Sequence, residues 1–448
     1  MSFPRYPEYK DSGVEWLRDI PKHWDVLPIK RIVSMPITDG PHETPQFVVD
    51  GVPFVSAEAV SSGRIDFSKI RACITAEDNA RYSLKYSPKL HDIYMVKSGA
   101  TTGITAIVED RTDFNIWSPL AVIRCGDEAV PHFVLNFMRS QNFLEAVTLN
   151  WSFGTQQNIG MGVIENLFCT LPPLAEQTQI AIFLDRETAK IDALVTQQRR
   201  LMELLKEKRQ AVISHAVTRG LNPDAPTKPS GNKWLGDVPA HWEVKRLRYL
   251  LAENGLVRGP FGGDLKKEIF QASGVKVYEQ KNAIYRDHQL GNSYITAIKF
   301  GQMSRFRVSA GDYIMSCSGT IGKTYRLPEN APDGIINQAL LVIRFSKKVT
   351  FQFADWIFES EFFGKQILDN SQGGAMKNLV GMDVFTSIGL PVPPGDEQLS
   401  IAAYLSSEAD NFDTLTTEAQ YAIDLLQERR AALISAAVTG KIDIRDWS

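Results

Sequence analysis

The chain has 448 residues, of which 44% are hydrophobic and 23% are charged, and its formal net charge is −3. The length predicts about two to four domains, the composition is typical of a globular protein, and the near-neutral charge neither requires nor excludes nucleic acid as a partner. The absence of a long apolar run, of an N-terminal signal segment and of any CxxC pair among four scattered cysteines predicts a cytoplasmic protein without a zinc site.

The first predicted element is a short segment that the chain contains twice. "KDSGVEWLRDIPKHWDV" (Lys10 to Val26) returns as "KPSGNKWLGDVPAHWEV" (Lys228 to Val244), with ten of the 17 positions identical. Chance would give about one identity, since a typical residue type makes up roughly one-twentieth of a composition. His23 and His241 occupy equivalent places in the two copies, which would keep them apart. A structural role beside the neighbouring tryptophans is therefore favoured over a role as bases or metal ligands.

A region of about 140 residues follows each copy, and its Gly, Pro, aromatic residues and short apolar runs indicate mixed, mostly β structure. Short stretches repeat here as well. "YMVKSG" from Tyr94 corresponds to "IMSCSG" from Ile314, and "LAVIR" ending at Arg124 corresponds to "LLVIR" ending at Arg344. The two regions are therefore two copies of one domain.

A long helix is predicted to close each half. The first begins near Leu174, after two prolines, and ends near Gly220; the second begins after Pro394 and ends near Gly440. Proline before the first turn and glycine after the last are the usual boundaries of a helix. Apolar residues repeat along both helices at heptad-like spacing. The predicted seam consists of Leu184, Ile191, Leu194, Leu201, Leu205 and Val212 on the first helix and Leu405, Phe412, Leu415, Ala422, Leu426 and Leu433 on the second.

Two interpretations of these helices are open: each covers its own domain, or the two pair with each other in antiparallel orientation. The length of the seam favours pairing. The repeated Trp/Pro/His/Trp segment directly follows a helix in the second half, but it opens the chain in the first half. We therefore expect a circular arrangement, in which the C-terminal helix ends beside the N-terminal segment. The predicted fold class is α+β, with two mostly β domains, two long antiparallel helices and internal pseudo-two-fold symmetry.

The chain resembles, over its whole length, the specificity subunit of type I restriction-modification enzymes. The resemblance is carried by "WLGDVPAHWEVKRL" from Trp234, "GDYIMSCSGTIGK" from Gly311, "RGPFGGDLKK" from Arg258 and the "PPL..EQ..I...L" start of each helix. It implies that residues 1–172 and 222–393 are target recognition domains, each reading one half of a split sequence in double-stranded DNA. It also implies that residues 173–221 and 394–448 are helical spacers that dock methyltransferase subunits.

The resemblance further implies that partner subunits perform the chemistry. Two methyltransferase subunits are expected, since there are two equivalent domain–helix junctions, together with translocase-nuclease subunits. S-adenosylmethionine, ATP and magnesium would then bind to these partners and not to this chain. An interaction with a membrane is not expected.

DNA contacts are expected in loops of the recognition domains, where the two halves differ most. Small and basic residues in these loops could contact phosphates or base edges, although any single one of them could equally be a solvated turn residue. The predicted contacts in the first half are Thr38, His42, Thr44, Lys97, Ser98, Thr101 and Thr102. The predicted contacts in the second half are Arg258, Phe261, Lys266, Lys267, Lys281, Asn282, Tyr285, Ser318, Thr320 and Lys323.

No catalytic or metal-binding residue is predicted. "CSGTIGKT" from Cys317 has cysteine where a phosphate-binding loop begins with glycine, and no helix is predicted after it, so a turn between two strands is the better interpretation. "NPDA" from Asn222 lacks the second proline and the aromatic residue of an amino-methyltransferase motif. Two alternatives to the type I assignment stay open: a specificity subunit of a methylation-only or other phage-defence complex, and a two-headed coiled-coil scaffold.

Overall fold

The computed structural model describes residues 3–61, 63–153, 157–260, 265–369, 379 and 381–447. The chain forms two compact units, one made of Met1–Arg199 with Gln420–Ser448 and the other of Arg200–Ala419. Because the first unit contains both ends of the chain, the predicted circular arrangement is confirmed. The units differ from the four predicted segments in one respect: each long helix is divided between the two units.

In its described residues, the first unit contains two four-stranded sheets. One has the antiparallel order Thr38–Asp39, Leu120–Ile123, Ile93–Val96, Thr105–Ile107. The other has the order Asn115–Ile116, Val52–Val55, Ala72–Ile74, Phe47–Val48, and its first two strands are parallel. Three short ladders join Tyr9–Asp11 to Asp19–Pro21, Asp25–Pro28 to Phe168–Leu171 and Ser152–Phe153 to Gln157–Asn158. The shorter helices are Ala57–Val60, Ala76–Ser83, Pro131–Met138, Gln141–Leu149 and Met161–Asn166.

The second unit also contains two four-stranded sheets in its described residues, but the parallel pair of its second sheet lies in the middle of the sheet and not at its edge. Its first sheet has the order Leu251–Arg258, Leu340–Phe345, Tyr313–Ser316, Thr324–Arg326, and its second has the order Tyr294–Ile295, Val275–Tyr278, Gly334–Ile336, Arg307–Val308. The short ladders join Thr227–Pro229 to Asp237–Pro239 and Glu243–Arg246 to Gly389–Val392. The shorter helices are Gln280–Tyr285, Ala297–Gln302, Phe351–Glu359, Glu361–Asp369 and Met382–Thr386. The predicted mixed, mostly β domains are therefore confirmed.

The central strands are apolar throughout because they separate two cores. Along Ile93–Val96, successive side chains point to opposite faces of the sheet. Ile93 and Met95 join the core that includes the helices, whereas Tyr94 and Val96 join a second core on the other face. The repeated "VIR" ends in an arginine for a structural reason: Arg124 forms a bidentate ion pair with the buried Asp92, with N–O distances of 2.7 Å. Arg344 and Asp312 form the same pair in the second unit.

The two long helices span Leu174–Arg219 and Gly395–Val438, close to the predicted bounds. In the first unit the start of the central helix packs antiparallel against the end of the C-terminal helix. Leu184 shares a core with Val438, and Arg430 donates a hydrogen bond to Asp192 at 2.9 Å. In the second unit the roles are exchanged, and Val217 shares a core with Ile401 and Leu405. The predicted antiparallel pairing is confirmed.

The predicted seam is wrong in part. Leu194, Leu201 and Leu415 are 44–45% exposed and lie beside the seam. The buried or half-buried stripe follows an uninterrupted heptad pattern with alternating spacings of four and three residues. Its members are Leu184, Thr188, Ile191, Val195, Gln198, Met202, Leu205, Arg209 and Val212 on the central helix and Leu405, Ala409, Phe412, Thr416, Ala419, Ile423, Leu426, Arg430 and Leu433 on the C-terminal helix. Polar residues at several of these positions hide the stripe from a search for apolar residues.

The repeated tryptophan segment joins the end of one helix to the start of the other within each unit. Glu176, in the first turn of the central helix, accepts hydrogen bonds from Tyr6 (2.5 Å) and Trp24 (3.1 Å), and its other oxygen lies 2.9 Å from Nε2 of His23. Gly440, just past the C-terminal helix, has a φ of +71°, and a Cβ there would overlap Pro21. The segment is therefore structural, and the predicted role for His23 is supported.

The second unit has the same junction. Glu397 accepts a hydrogen bond from Trp242 (3.0 Å) and lies 2.8 Å from His241. The following glutamine of each "EQ" pair completes the connection. Gln177 accepts from the backbone amide of Val130 at 2.8 Å, and Gln398 accepts from that of Thr350 at the same distance. The "EQ" pair therefore joins the start of each long helix to the β-rich part of its unit.

Replacing Glu176 with alanine is expected to destabilise the first unit by about 2–4 kcal/mol, because the buried donors of Tyr6 and Trp24 lose their acceptor. Glu397→Ala is the matched control. Its carboxylate is more exposed, with a side-chain exposure of 28% against 7% for Glu176, so a smaller loss is expected. Urea unfolding followed by tryptophan fluorescence would measure both. Equal losses in the two variants would contradict this account.

Candidate nucleic-acid interface

The first predicted loop of the first unit is built around a buried carboxylate. Asp39 ends the strand Thr38–Asp39 and is fully buried. One oxygen accepts a hydrogen bond from Lys85 at 2.6 Å, and the other lies 2.9 Å from Nε2 of His42 and 3.2 Å from Nζ of Lys97. Burial raises the pKa of Asp39, but the hydrogen bonds and charges of Lys85 and Lys97 outweigh it and lower the pKa overall. The loop thus holds an ionised acid surrounded by three basic side chains.

These basic side chains differ in their access to solvent. The side chains of His42 and Lys85 are 69% and 53% exposed, whereas that of Lys97 is only 13% exposed. An ammonium group held by a buried carboxylate has a defined position, and it can still donate to a phosphate or to a base acceptor. The structure therefore brings together two of the predicted contacts, His42 and Lys97. It adds Asp39 and Lys85, which the sequence analysis did not identify.

The position that corresponds to Asp39 in the second unit carries a residue of the opposite charge. Arg258 ends the strand Leu251–Arg258 and stands where Asp39 stands in the first unit, and the buried Cys317 stands where Lys97 does. Burial raises the pKa of the Cys317 thiol, and the nearby Arg258 guanidinium lowers it by a smaller amount. A basic residue beside a buried thiol thus replaces the cluster of Asp39 and its basic neighbours. The two loops therefore present different donors and acceptors to a ligand.

The glycine loops adopt the predicted turn between two strands. In the first unit the loop lies between Ile93–Val96 and Thr105–Ile107, and in the second between Tyr313–Ser316 and Thr324–Arg326. Gly99 and Gly103 have φ values of +100° and +95°, a conformation that L-residues rarely adopt. Thr102 donates to the carbonyl of Gly99 at 2.7 Å, and Ser98 forms a bridge with Asn158. Ser98, Thr101 and Thr102 are half-buried at this turn.

The predicted contact at Asn282 is wrong. Its side chain is fully buried, accepts a hydrogen bond from the amide of Glu279 at 2.7 Å and donates to the carbonyls of Asp287 and Leu290 at 2.8 Å. These bonds use its hydrogen-bonding groups to shape the surrounding loop, so it is unavailable to a ligand. Tyr285, at the end of the same short helix, faces solvent and is 72% exposed.

The remaining predicted residues of the second unit lie on the same part of the domain or outside the described residues. Lys281 pairs with Glu279 at 2.8 Å, and Gln280, at the start of the same helix, donates to the carbonyl of Ser318 in the glycine loop. The other exposed positions are Lys266, Thr320 and Lys323 in the second unit and Thr44 in the first. Lys267 begins the short helix Lys267–Ile269, but its side chain and all of Phe261 lie outside the described residues.

A buried lysine missed by the sequence analysis supports the loop after Tyr285. Lys276 donates hydrogen bonds from Nζ to the carbonyls of Leu290 and Gly291, both at 3.1 Å, and it is 5% exposed. Burial lowers the pKa of this ammonium group. Lys276 is part of an apolar strand, and a sequence pattern gives no sign that a lysine there is buried.

In the described ranges, no three His, Cys, Asp or Glu side chains are grouped as metal ligands would be. Within the same ranges, no helix combines the length and the apolar content that a bilayer crossing requires. The residues that do converge, in both units, are donors and acceptors on loops at the ends of strands. They form surfaces suited to contacting the phosphates of a nucleic acid and the polar edges of its bases.

Two compact units, each with a recognition surface and a share of two paired helices, define a two-domain binding protein. The family model described as "Type I restriction modification DNA specificity domain" matches residues 24–203 and 264–423. The chain therefore belongs to the type I restriction-modification DNA specificity family, and it is a DNA specificity subunit of that class.

Individual relatives extend over nearly the whole chain. The putative type I restriction enzyme MjaX specificity subunit of Methanocaldococcus jannaschii is 24% identical, and the alignment covers 95% of each chain. The type I restriction enzyme EcoKI specificity subunit of Escherichia coli strain K12 is 20% identical, with 94% of this chain and 90% of that protein covered.

Solved structures have the same fold. The crystal structure of the HsdS subunit from Thermoanaerobacter tengcongensis has a TM-score of 0.53 at 15% identity and covers 94% of this chain and 98% of its own. A chain from a structure on complex assembly and conformational transition of the type I R-M system has a TM-score of 0.63 at 16% identity, with the same coverage.

Proposed function

We propose that this chain reads a split DNA target, with one half-site recognised by each unit. The observation that carries this proposal is the contrast between the duplicated loops. Equivalent strand ends present Asp39 with Lys97 in one unit and Arg258 with Cys317 in the other. Each base pair presents its own pattern of hydrogen-bond donors and acceptors, and loops that differ in this way can distinguish these patterns. Two copies of one scaffold with different loop chemistry would read two different sequences.

The paired helices are proposed to dock the methyltransferase subunits. Leu194 and Leu425 are 45% and 46% exposed on the helical part of the first unit. The positions 221 residues away, Leu415 and Leu204, are both 45% exposed on the helical part of the second unit. Leucines that lie outside the seam and repeat in both units are suited to two equivalent protein contacts. Two methyltransferase copies per chain are therefore proposed.

The catalytic steps are assigned to partner subunits in this proposal. S-adenosylmethionine would bind to the methyltransferases, and ATP and magnesium to the translocase-nuclease subunits. This chain would contribute sequence selection and assembly. It would have no methyltransferase, nuclease or ATPase activity of its own, and purified chain that methylated DNA unaided would contradict the proposal.

Exchanging residues 30–165 for the corresponding region of a related specificity subunit is expected to change one half of the recognised sequence and leave the other half intact. The reason is that both candidate loops of the first unit lie within this range. Genome-wide mapping of methylated bases before and after the exchange would measure the result. The reciprocal exchange of the second unit's loops is the control, and it should change the other half. A change of both halves in either exchange would overturn the division of labour.

A further inference from the structure

The second unit has an open apolar groove at the end of the central helix. The groove has a volume of about 700 Å³ and is lined by Lys208, Ala211, His215, Leu221 and Tyr404, together with Val212, Ala216, Gly220 and Pro223. Tyr404 and Leu221 are 41% and 42% exposed. Large apolar side chains at this exposure, on a concave surface beside a helix pair, are typical of a protein contact.

The first unit shows what such a groove accommodates. Phe183, at the position 221 residues before Tyr404, is fully buried. Its ring packs edge-on against Trp447 at 4.9 Å and against Phe3 at 5.3 Å. Arg186 lies 5.0 Å from the centre of the Trp447 ring. The surface that is open around Tyr404 is therefore filled around Phe183 by aromatic side chains from the ends of the chain.

Residues 441–447, referred to below as the tail segment, account for this difference. Ile444 in the tail segment is 1% exposed, and Gln179 donates to the carbonyls of Ile444 (3.0 Å) and Arg445 (2.6 Å). After Gly220, by contrast, the chain passes directly to the strand Thr227–Pro229. The second unit thus contains the groove without an equivalent of the tail segment.

We propose that the open groove binds a segment of one methyltransferase subunit, with an aromatic side chain placed against Tyr404 as Trp447 is placed against Phe183. This inference rests on the proposed function. The groove is continuous in sequence with the proposed docking face, since Leu204 precedes Lys208 by one helical turn. Lys208 at its rim favours an acidic neighbour in the incoming segment. The tail segment of a second copy is a poorer occupant, because it is already packed in its own first unit.

An unequal pair of docking sites follows from this proposal. One methyltransferase copy would contact the exposed leucines and fill the groove, whereas the other would contact the equivalent leucines beside a groove that the tail segment already fills. The two copies should therefore bind with different affinities. Removing the groove contact should weaken one of the two binding events and leave the other intact.

The test uses the full chain and the modification methyltransferase of the same restriction-modification system. Native mass spectrometry and titration of the wild-type chain are expected to give two methyltransferases per chain. Tyr404→Asp is expected to weaken one binding event at least ten-fold, so that the complex stops at one methyltransferase per chain under the same conditions. Ile298→Asp is the matched control, since Ile298 is 77% exposed in the same unit but belongs to its recognition domain, and it should retain two copies.

A direct contact measurement supports the test if Tyr404→Asp lowers the melting temperature. A photoreactive phenylalanine at position 404 should crosslink to the methyltransferase, and the same group at position 298 should not. A wild-type chain that binds no methyltransferase would disprove the proposed function itself. A Tyr404→Asp variant that binds two copies with unchanged affinities would overturn the groove proposal alone, and so would a crosslink from position 404 to a second copy of this chain.

Discussion

Replacing Asp39 with asparagine is expected to lower the affinity for the target DNA about ten- to one-hundred-fold, or about 1.4–2.8 kcal/mol, without weakening the binding of unrelated DNA. Asp39 accepts from Lys85 at 2.6 Å and lies 3.2 Å from Lys97. An amide cannot hold two ammonium groups as a carboxylate does. The lysines would lose their fixed position, and specific contacts depend on position.

The effect on unrelated DNA distinguishes positioning from simple charge. Asp39→Asn makes the domain more positive by one unit, and non-specific binding depends mainly on phosphate charge. If Asp39 only reduced the positive charge of the loop, the variant would bind every DNA more tightly. If it positions Lys85 and Lys97, the variant would bind the target less tightly and other sequences equally or more tightly. The two explanations thus predict opposite changes in affinity for the target.

The measurement is a titration of target and scrambled duplexes at two salt concentrations. Asp50→Asn is the matched control, because Asp50 is exposed in the same unit and the substitution changes the charge by the same amount. It should leave the ratio of target to scrambled affinity unchanged. An Asp39→Asn variant with an unchanged or higher ratio would contradict a positioning role for Asp39.

The Asp39 carboxylate is expected to stay ionised between about pH 5 and 8, so its hold on Lys85 and Lys97 should not change over that range. The pKa of Asp39 is lowered in the folded state, so its stabilising contribution is fully present above the ordinary carboxyl pKa of about 3.9. That contribution is lost only as the pH falls through the lower folded-state pKa. Loss of target binding at pH 6 would therefore not come from protonation of Asp39.

The sequence predicted most of the architecture because it contains the same domain twice. Features that both copies share can be recognised as those that the fold requires. The segments around Trp24 and Trp242, the two helix boundaries and the circular arrangement all follow from that comparison. The seam was harder to predict, since Gln198 and Arg209 occupy heptad positions and the burial of their side chains depends on the partner helix. Leu194 and Leu201 fit an apolar pattern but face outward.

The candidate site was predictable only at the level of loops. Asp39 lies next to the predicted Thr38, but its role depends on Lys85, which is distant in sequence and belongs to neither predicted loop. Asn282 looked like a polar loop residue, yet it is the buried third residue of a short helix, and its side chain accepts from the amide of the N-cap residue Glu279. Such assignments depend on which residues are neighbours in the folded structure, and a single sequence does not reveal these neighbours. The correspondence of Asp39 with Arg258 was the available sign that this position matters.

Lengthening both long helices by four residues is expected to widen the gap between the two half-sites by one or two base pairs without changing either half-site. Four residues add about 6 Å at 1.5 Å per residue, and DNA rises about 3.4 Å per base pair. The insertions belong between Thr196 and Arg200 and between Thr417 and Tyr421. These matching positions lie 221 residues apart, where each helix passes from one unit to the other.

The observed seam decides which insertions the helices tolerate. Spacings alternate between four and three residues on both helices, so an insertion of two would turn every later seam residue away from its partner. An insertion of four adds one more four-residue step, which a coiled coil absorbs by local unwinding, provided that the residue four places after Val195 is apolar. An insertion of seven keeps the pattern, but it asks for about three base pairs and turns one half-site by roughly 100° around the duplex.

The four-residue variant is therefore the decisive one, and methylation mapping would measure its preferred gap. Its control substitutes the inserted four-residue sequence for residues 196–199, and likewise for the matching residues of the other helix, so that the helices keep their original length. That control changes composition without changing length, so it should keep the original gap. If the complex built with the lengthened chain also methylated targets with the original gap at full efficiency, helix length would not set the spacing. The buried stripe from Leu184 to Val212 would then serve only to close the core of each unit, which needs no helix that runs from one unit into the other.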